Sequence, residues 1–222
     1  MANKTYFKHV PDFDYVSRLP NSKLINDYVK TKNLFKRVKL SDEIFGELTY
    51  FNKYTIKNQD RPDSVAYNVY KDSNLDWLVM LSNNIINLQT EWPLDQVSYN
   101  NYLLNKYGSY DNMYGVHHYE TIEVLDTNEN VILPKGLEVP QDFSITYFDN
   151  GVERVATNVT GEVSNLVYED KLQEKKTNIY LLRPDYVSLI INEIENLMPY
   201  KEGSTQYVGR SLVKGDNIRL YQ

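Results

Sequence analysis

The stretch from Tyr54 to Pro93 constrains the fold most, because its apolar period changes from two to about 3.6 within a few residues. Tyr54-Thr55-Ile56-Lys57 alternates apolar and polar side chains, as a strand with one covered face does. Asn58-Gln59-Asp60 is a polar turn, with Asp60 placed to cap a helix and Pro62 near the first helical position, where a missing N–H costs nothing. Val65, Ala66, Val69 and Tyr70 then share one helical face. Ser73, three residues before Asp76, is a second start signal, a capping box with the shorter acid. Leu75, Leu78, Val79 and Ser82 line that helix, Trp77 and Leu81 widen its apolar surface, and Asn83-Asn84 stops it. The reading is strand, short helix, short helix.

The other strong signal lies near the C-terminus. Ile179-Tyr180-Leu181-Leu182 is a short apolar strand, and Pro184 opens a helix whose Val187, Ile190, Ile191, Ile194, Leu197 and Met198 form one stripe ended by Pro199. Burying six such side chains contributes on the order of 10 kcal/mol gross, so the stripe must face a core or a partner helix. Between the two signals, Gln96 to Tyr107 keeps a helical period through Val97, Tyr99 or Asn100, Leu103, Leu104 and Tyr107, and Gly108 supplies the stop. Residues 109–115 read as a turn-rich linker. The period then returns to two over His117 to Val124, with a turn at Asp126 to Asn130, a short strand at Val131-Ile132-Leu133, and Asn150-Gly151 as a hairpin turn between Asp142–Phe148 and Val152–Thr157.

Residues 1–22 carry scattered aromatics without a period and read as an extended arm that needs the protein body or a partner to lie on. Residues 22–31 have helical spacing at Leu24, Ile25, Tyr28 and Val29. Residues 164–177 are charged and read as a solvated helix or arm, and Lys214-Gly215-Asp216-Asn217 as the turn of a terminal hairpin. The expectation is an α+β fold in four segments: an arm and short helix (1–48), a helical core (49–108), a small antiparallel β-region (109–163), and a charged segment with an amphipathic helix and terminal hairpin (164–222).

Composition narrows the function. The 30 acidic residues outnumber the 24 basic ones, and the densest basic patch, Lys30 to Lys39, is short, which argues against nucleic acid as a main ligand. No run of eighteen apolar residues is present and the N-terminus lacks the apolar core of a signal peptide, so neither a membrane span nor secretion is expected. With no cysteine, thiolate catalysis, disulfides and cysteine-ligated zinc are excluded together. The 20 tyrosines and 24 asparagines fit AT-rich codon usage, and tyrosine also suits contact surfaces.

No constellation for chemistry stands out. On a strand His118 and Glu120 share a face and His117 points away, short of the three or four converging ligands zinc needs, so no metal is expected. The glycines are isolated, which leaves no phosphate-cradling loop, and no serine elbow occurs. A carboxylate pair such as Asp60 with Glu47 has no motif behind it. No catalytic residue, cofactor or small-molecule substrate is assigned. Interface residues are proposed instead: Arg61, whose planar fork suits a carboxylate across a subunit boundary, with Tyr70, Trp77 and Trp92, then Phe35 and Arg37 in the basic-apolar segment, and Val187, Ile191 and Ile194 on the C-terminal stripe.

Two resemblances bear on these residues. The strand, turn and two short helices ending in asparagine resemble the first half of a LysM module, a small βααβ unit; its second strand does not follow Asn84, and either Leu133 to Pro140 completes it after a long insertion or only half is present. Asp60-Arg61-Pro62-Asp63-Ser64, Tyr70, Trp77, Trp92-Pro93 and Lys106-Tyr107-Gly108 resemble the small baseplate wedge protein of T4-type contractile-tailed phages, the gene product fifty-three family, as do Asn33 to Arg37 and Asn178 to Met198. That resemblance implies a structural subunit of the virion tail, made in the host bacterial cytoplasm and repeated sixfold. It would join other wedge subunits and a sheath-initiator-type protein, closing the baseplate around the tube and the start of the sheath. The LysM resemblance implies the alternative, binding of N-acetylglucosamine polymers such as peptidoglycan in the groove between residues 58–61 and 83–90.

Overall fold

A computed structural model of the chain describes residues 5–17, 27–57, 60–203, 207–209, 212–215 and 218–220. Helices and small, mostly antiparallel sheets alternate in an α+β arrangement, divided between two compact units. One unit comprises residues 1–92 and 177–222, and the other is the intervening 93–176. The boundary at 92/93 falls inside the expected segment 49–108, residues 109–163 lie within the insertion, and the boundary at 176/177 falls inside 164–222.

The first unit is built on a strand–helix–helix–strand arrangement. Strand Phe51–Thr55 pairs antiparallel with Asn178–Leu182, from Phe51 opposite Leu182 to Thr55 opposite Asn178. Helices Pro62–Tyr70 and Asp76–Ser82 follow the first strand. Leu133 to Pro140 therefore does not supply the second strand; its residues pair within the other unit, Leu133 with Val124 and Val139 with Tyr119. The strand that pairs with Phe51–Thr55 is Asn178–Leu182, and Asn83 is bonded to it. The Asn83 side chain donates to the Tyr180 carbonyl and accepts the Tyr180 N–H, both at 2.8 Å, so one amide satisfies a strand edge that would otherwise stay open.

Both helix starts differ in detail from the sequence expectation. Pro62 occupies the first turn, which makes Arg61 the cap residue. Asp60 sits one position too early and instead accepts the Lys57 N–H and the Tyr54 hydroxyl. Lys71 ends the first helix in the left-handed region, and Asp72, not Ser73, then caps a short 3-10 turn through the Asn74 N–H. The pattern of burial is as expected: Val65, Ala66, Leu75, Trp77, Leu78 and Val79 join Leu181, Leu182, Ile190, Ile194 and Met198 in one core.

The helix expected over residues 22–31 is not formed in its described part. Tyr28–Lys32 is a strand paired with Asp12–Val16, with Tyr15 opposite Val29 and Phe13 opposite Thr31; residues 22–26 lie outside the described residues. Tyr, Val and Thr favour extended backbone, and Asp12 meets Lys32 across the ladder at 3.0 Å. The preceding segment rests on the body through buried Val10 and through Tyr6, whose hydroxyl accepts the Val38 N–H. The terminal hairpin is also revised. Tyr207–Gly209 pairs with Leu212–Val213, but Ile218–Leu220 runs parallel to Val38–Leu40 and completes the same core with Leu220. Lys214 and Gly215 thus lead into a crossover; Asp216 and Asn217 lie outside the described residues.

The second unit opens with helix Gln96–Tyr107. Asp95 accepts the Val97 and Ser98 N–H groups at its start, and Gly108, at φ 76°, ends it in a conformation only glycine adopts without penalty. Tyr99 and Leu103 turn inward with Met113, whereas Val97 is exposed and does not belong to the buried face. The expected linker contains a helical turn, Tyr110–Met113, capped by Ser109. Val116–Thr121 lies between Thr160–Ser164 and Glu138–Val139 in a three-stranded sheet, and Ile145–Asp149 turns into Val152–Ala156 through Asn150 and Gly151, both at positive φ. Asn165–Thr177 is helical, but Glu169 is buried, so the helix is not solvated all round.

The chain leaves the first unit at Trp92 and returns at Thr177, and both ends are tied to one turn. Trp92 donates its indole N–H to the Asp60 carbonyl at 3.0 Å, and Ile56 donates its N–H to the Thr177 carbonyl at 2.9 Å. Closely spaced ends are what a tolerated domain insertion requires. Replacing residues 93–176 by a short Gly/Ser linker is expected to leave a chain that unfolds cooperatively, followed by the fluorescence of Trp77 and Trp92. Loss of a cooperative transition would show that the first unit depends on the second.

Candidate interaction surface

The sequence-proposed interface residues separate by burial. Trp77, Trp92, Val187 and Ile194 are buried in the first unit's own core, and Ile191 and Tyr70 are half-buried against it. The Tyr70 hydroxyl donates to the Leu182 carbonyl at 2.8 Å, and burial raises its pKa. Arg61 and Phe35 face solvent, their exposure reaching 80% for the Arg61 side chain and 85% for Phe35. Arg61 pairs locally with Asp63 at 3.2 Å, and Arg37 is exposed as well. The buried members belong to the core of the first unit, and Arg61, Phe35 and Arg37 are left at its surface.

Around Arg37 the structure assembles a groove that the sequence does not announce. Val38 and Lys39 form one wall, Tyr6 another, and the C-terminal end of helix Asp76–Ser82 with Ile85 and Ile86 a third, enclosing about 230 Å³. Trp77, Met80 and Leu81 contribute the helical wall. The Tyr6 ring lies 5.7 Å from the Trp77 ring, which fixes the N-terminal wall against the core. The loop carrying the isoleucines is held by its own bonds: the Ile85 N–H reaches the Met80 carbonyl at 2.9 Å, and Glu91 accepts the Ile86 and Asn87 N–H groups at 2.6 and 3.1 Å. Ile86 is nonetheless 65% exposed. Two isoleucines directly after the Asn83-Asn84 stop, where a turn is ordinarily polar, were the available sequence signal.

Of the two loops expected to border a groove, residues 58 and 59 lie outside the described residues, and Trp92, just beyond residues 83–90, donates its buried indole N–H to the Asp60 carbonyl. In the second unit, two acidic clusters are satisfied internally. Lys171 donates to both oxygens of Glu120 at 2.6 Å and His118 approaches the same carboxylate at 3.1 Å; these hydrogen bonds, Lys171 first, hold Glu120 below the usual carboxylate range. His117 stacks on Tyr168 with ring centroids 4.0 Å apart. Among the described residues no group of three or more His, Asp or Glu side chains converges as a metal site would. Glu169, the second acid, is hydrogen-bonded by Lys106, Tyr107 and Tyr102. Among the described residues no helix is long and apolar enough to cross a membrane.

A family model described as base plate wedge protein 53 matches residues 6–192 of this chain. The match runs through the first strand and both core helices, across the whole insertion, and into helix Pro184–Leu197. No curated protein sequence matches the chain.

Proposed function

The chain belongs to the base plate wedge protein 53 family, and from that premise we propose that it joins neighbouring wedge subunits and helps close the baseplate around the tail tube and the start of the sheath. Its baseplate role is structural, as the family's is, and its place is the tail of the virion. The observation that carries the reading is the family match over residues 6–192, which includes both units. The finer assignments are ours: a sixfold-repeated copy number, contacts with other wedge subunits and a sheath-initiator-type protein, and synthesis in the host cytoplasm. Arg61, Phe35 and Arg37, all exposed, are the side chains we place at subunit contacts.

In this reading the strand–helix–helix–strand core, which resembles a LysM arrangement closed by Asn178–Leu182, serves as a mount. Glycan binding is the second reading, favoured by that arrangement alone. Against it, the family match is to a baseplate wedge protein.

Co-expression with the neighbouring tail genes, followed by size-exclusion chromatography and mass analysis, tests the proposal. A stoichiometric complex with wedge subunits is expected, and no retention on insoluble chitin or peptidoglycan. A free monomer that is retained on peptidoglycan and released by soluble chitooligosaccharide would reverse the order of the two readings.

A further inference from the structure

We infer that the groove beside Arg37 seats an acidic, apolar segment of another baseplate subunit, an inference that rests on the baseplate reading and names the chemistry of one contact within it. The walls of the groove are apolar: Trp77, Met80, Leu81, Ile85 and Ile86 come from one side and Val38 from the other. Burying such a surface is favourable, and because the Glu91 carboxylate already holds the Ile86 N–H, only the Ile86 side chain is left to order on contact. At about 230 Å³ the groove is smaller than the roughly 300–1,000 Å³ of small-molecule sites, and suits an anchoring side chain from a partner chain. Met80 adds an unbranched, polarisable wall that adapts to the anchor's shape.

Charge selects the partner. Arg37 and Lys39 stand together along one wall. Lys39 is shared with Asp42 at 3.4 Å, but Arg37 is exposed and forms no ion pair among the described residues. A guanidinium beside an apolar groove matches a carboxylate adjoining an apolar anchor, and its planar fork accepts that carboxylate in a fixed geometry. Complementarity of this kind sets register and excludes basic partners as well as adding affinity. The occupant is therefore a segment in which Asp or Glu flanks aliphatic or aromatic residues.

The experiment uses the full chain co-expressed with the wedge subunits encoded beside it, with a photo-crosslinking phenylalanine analogue in place of Ile86. Crosslinked peptides are expected to map to one acidic, apolar segment of another subunit. Arg37→Glu is expected to reduce recovery of the complex about tenfold, with Arg37→Lys, which keeps the charge but not the fork, falling between it and the wild type and the thermal melt of each variant unchanged. Crosslinks to a second copy of the chain, to its own termini, or to a segment without acids overturn the inference. So does an Arg37→Glu chain that assembles as well as the wild type, and in that case the baseplate reading stands. If the unmodified chain forms no complex with any wedge subunit, the baseplate reading falls and the inference falls with it. Ile86→Ser provides a second, charge-neutral variant, expected to weaken the complex without altering the fold.

Discussion

Replacing Ile194 by alanine is expected to destabilise the first unit by about 3 kcal/mol, within the range of roughly 2–5 kcal/mol for buried aliphatic truncations. Ile194 is fully buried on helix Pro184–Leu197, in the cluster that includes Val187, Ile190 and Met198. That cluster also holds buried side chains of the two-stranded sheet and of both core helices, so the cavity opens in a closely packed core. Leu197, on the same helix but 41% exposed, is the control, with an expected change within about 0.5 kcal/mol for alanine. Urea unfolding followed by tryptophan fluorescence measures both, because Trp77 and Trp92 are the chain's two tryptophans and both belong to the first unit. Equal, small effects at the two positions would mean that the stripe is solvated in the free protein and serves a partner instead.

Glu169→Ala is expected to cost the second unit about 1–2 kcal/mol, because it removes the buried acceptor of three hydrogen bonds, while the Lys106 side chain, 44% exposed, keeps its contact with water. Glu169 is 3% exposed; Lys106, Tyr107 and Tyr102 all donate to it. Removing the carboxylate ends these bonds, and Lys106 and Tyr102, both partly exposed, turn to water instead. Burial pushes the Glu169 carboxyl up, but hydrogen bonds from Lys106, Tyr107 and Tyr102 together with the Lys106 charge outweigh it and leave the pKa below the ordinary value. Lys106 shifts upward correspondingly, chiefly through its hydrogen bond to Glu169. The unfolded chain therefore binds the proton more readily than the folded one. The pair's contribution is complete between the unfolded carboxylate pKa of about 4.3 and the unfolded ammonium pKa of about 10.4, and on the acid side it is lost as pH falls through the lower folded carboxylate value. Glu120, held down by Lys171, acts in the same direction. Hydrogen exchange of amides in residues 93–176 checks both claims: Glu169→Ala should raise exchange at neutral pH, and Glu169→Gln should reduce the loss of protection on acidification. An acid response unchanged in Glu169→Gln would remove Glu169 as its source.

The elements with local signatures were legible in the sequence. Helix Gln96–Tyr107 follows Asp95 and stops at Gly108, the Asn150-Gly151 hairpin turns where expected, and Pro184 opens the C-terminal helix. Family membership was legible too, in residues spread from Asn33 to Met198 and now matched over residues 6–192. The interface residues were harder to place, because aromatic and aliphatic side chains on a helix serve a core and a contact surface equally well. Trp77 and Ile194 went inward, while Phe35 remained outside.

Caps, turns and periodicity depend on energies that act within a few residues, so the sequence by itself determined the α+β class, the two core helices and the C-terminal stripe. Which strand meets which depends on contacts between residues far apart, and only the tertiary structure decided it. Phe51–Thr55 pairs with Asn178–Leu182 across the inserted unit, and Val38–Leu40 pairs with Ile218–Leu220. The same holds for Tyr28–Lys32, whose helical spacing yields to the ladder offered by Asp12–Val16, and for Glu169, an acid in a charged stretch that becomes buried because Lys106 and two tyrosines from a distant helix converge on it. Backbone hydrogen bonds and buried charges must be satisfied by whatever the fold brings near, and that neighbourhood is a property of the assembled chain.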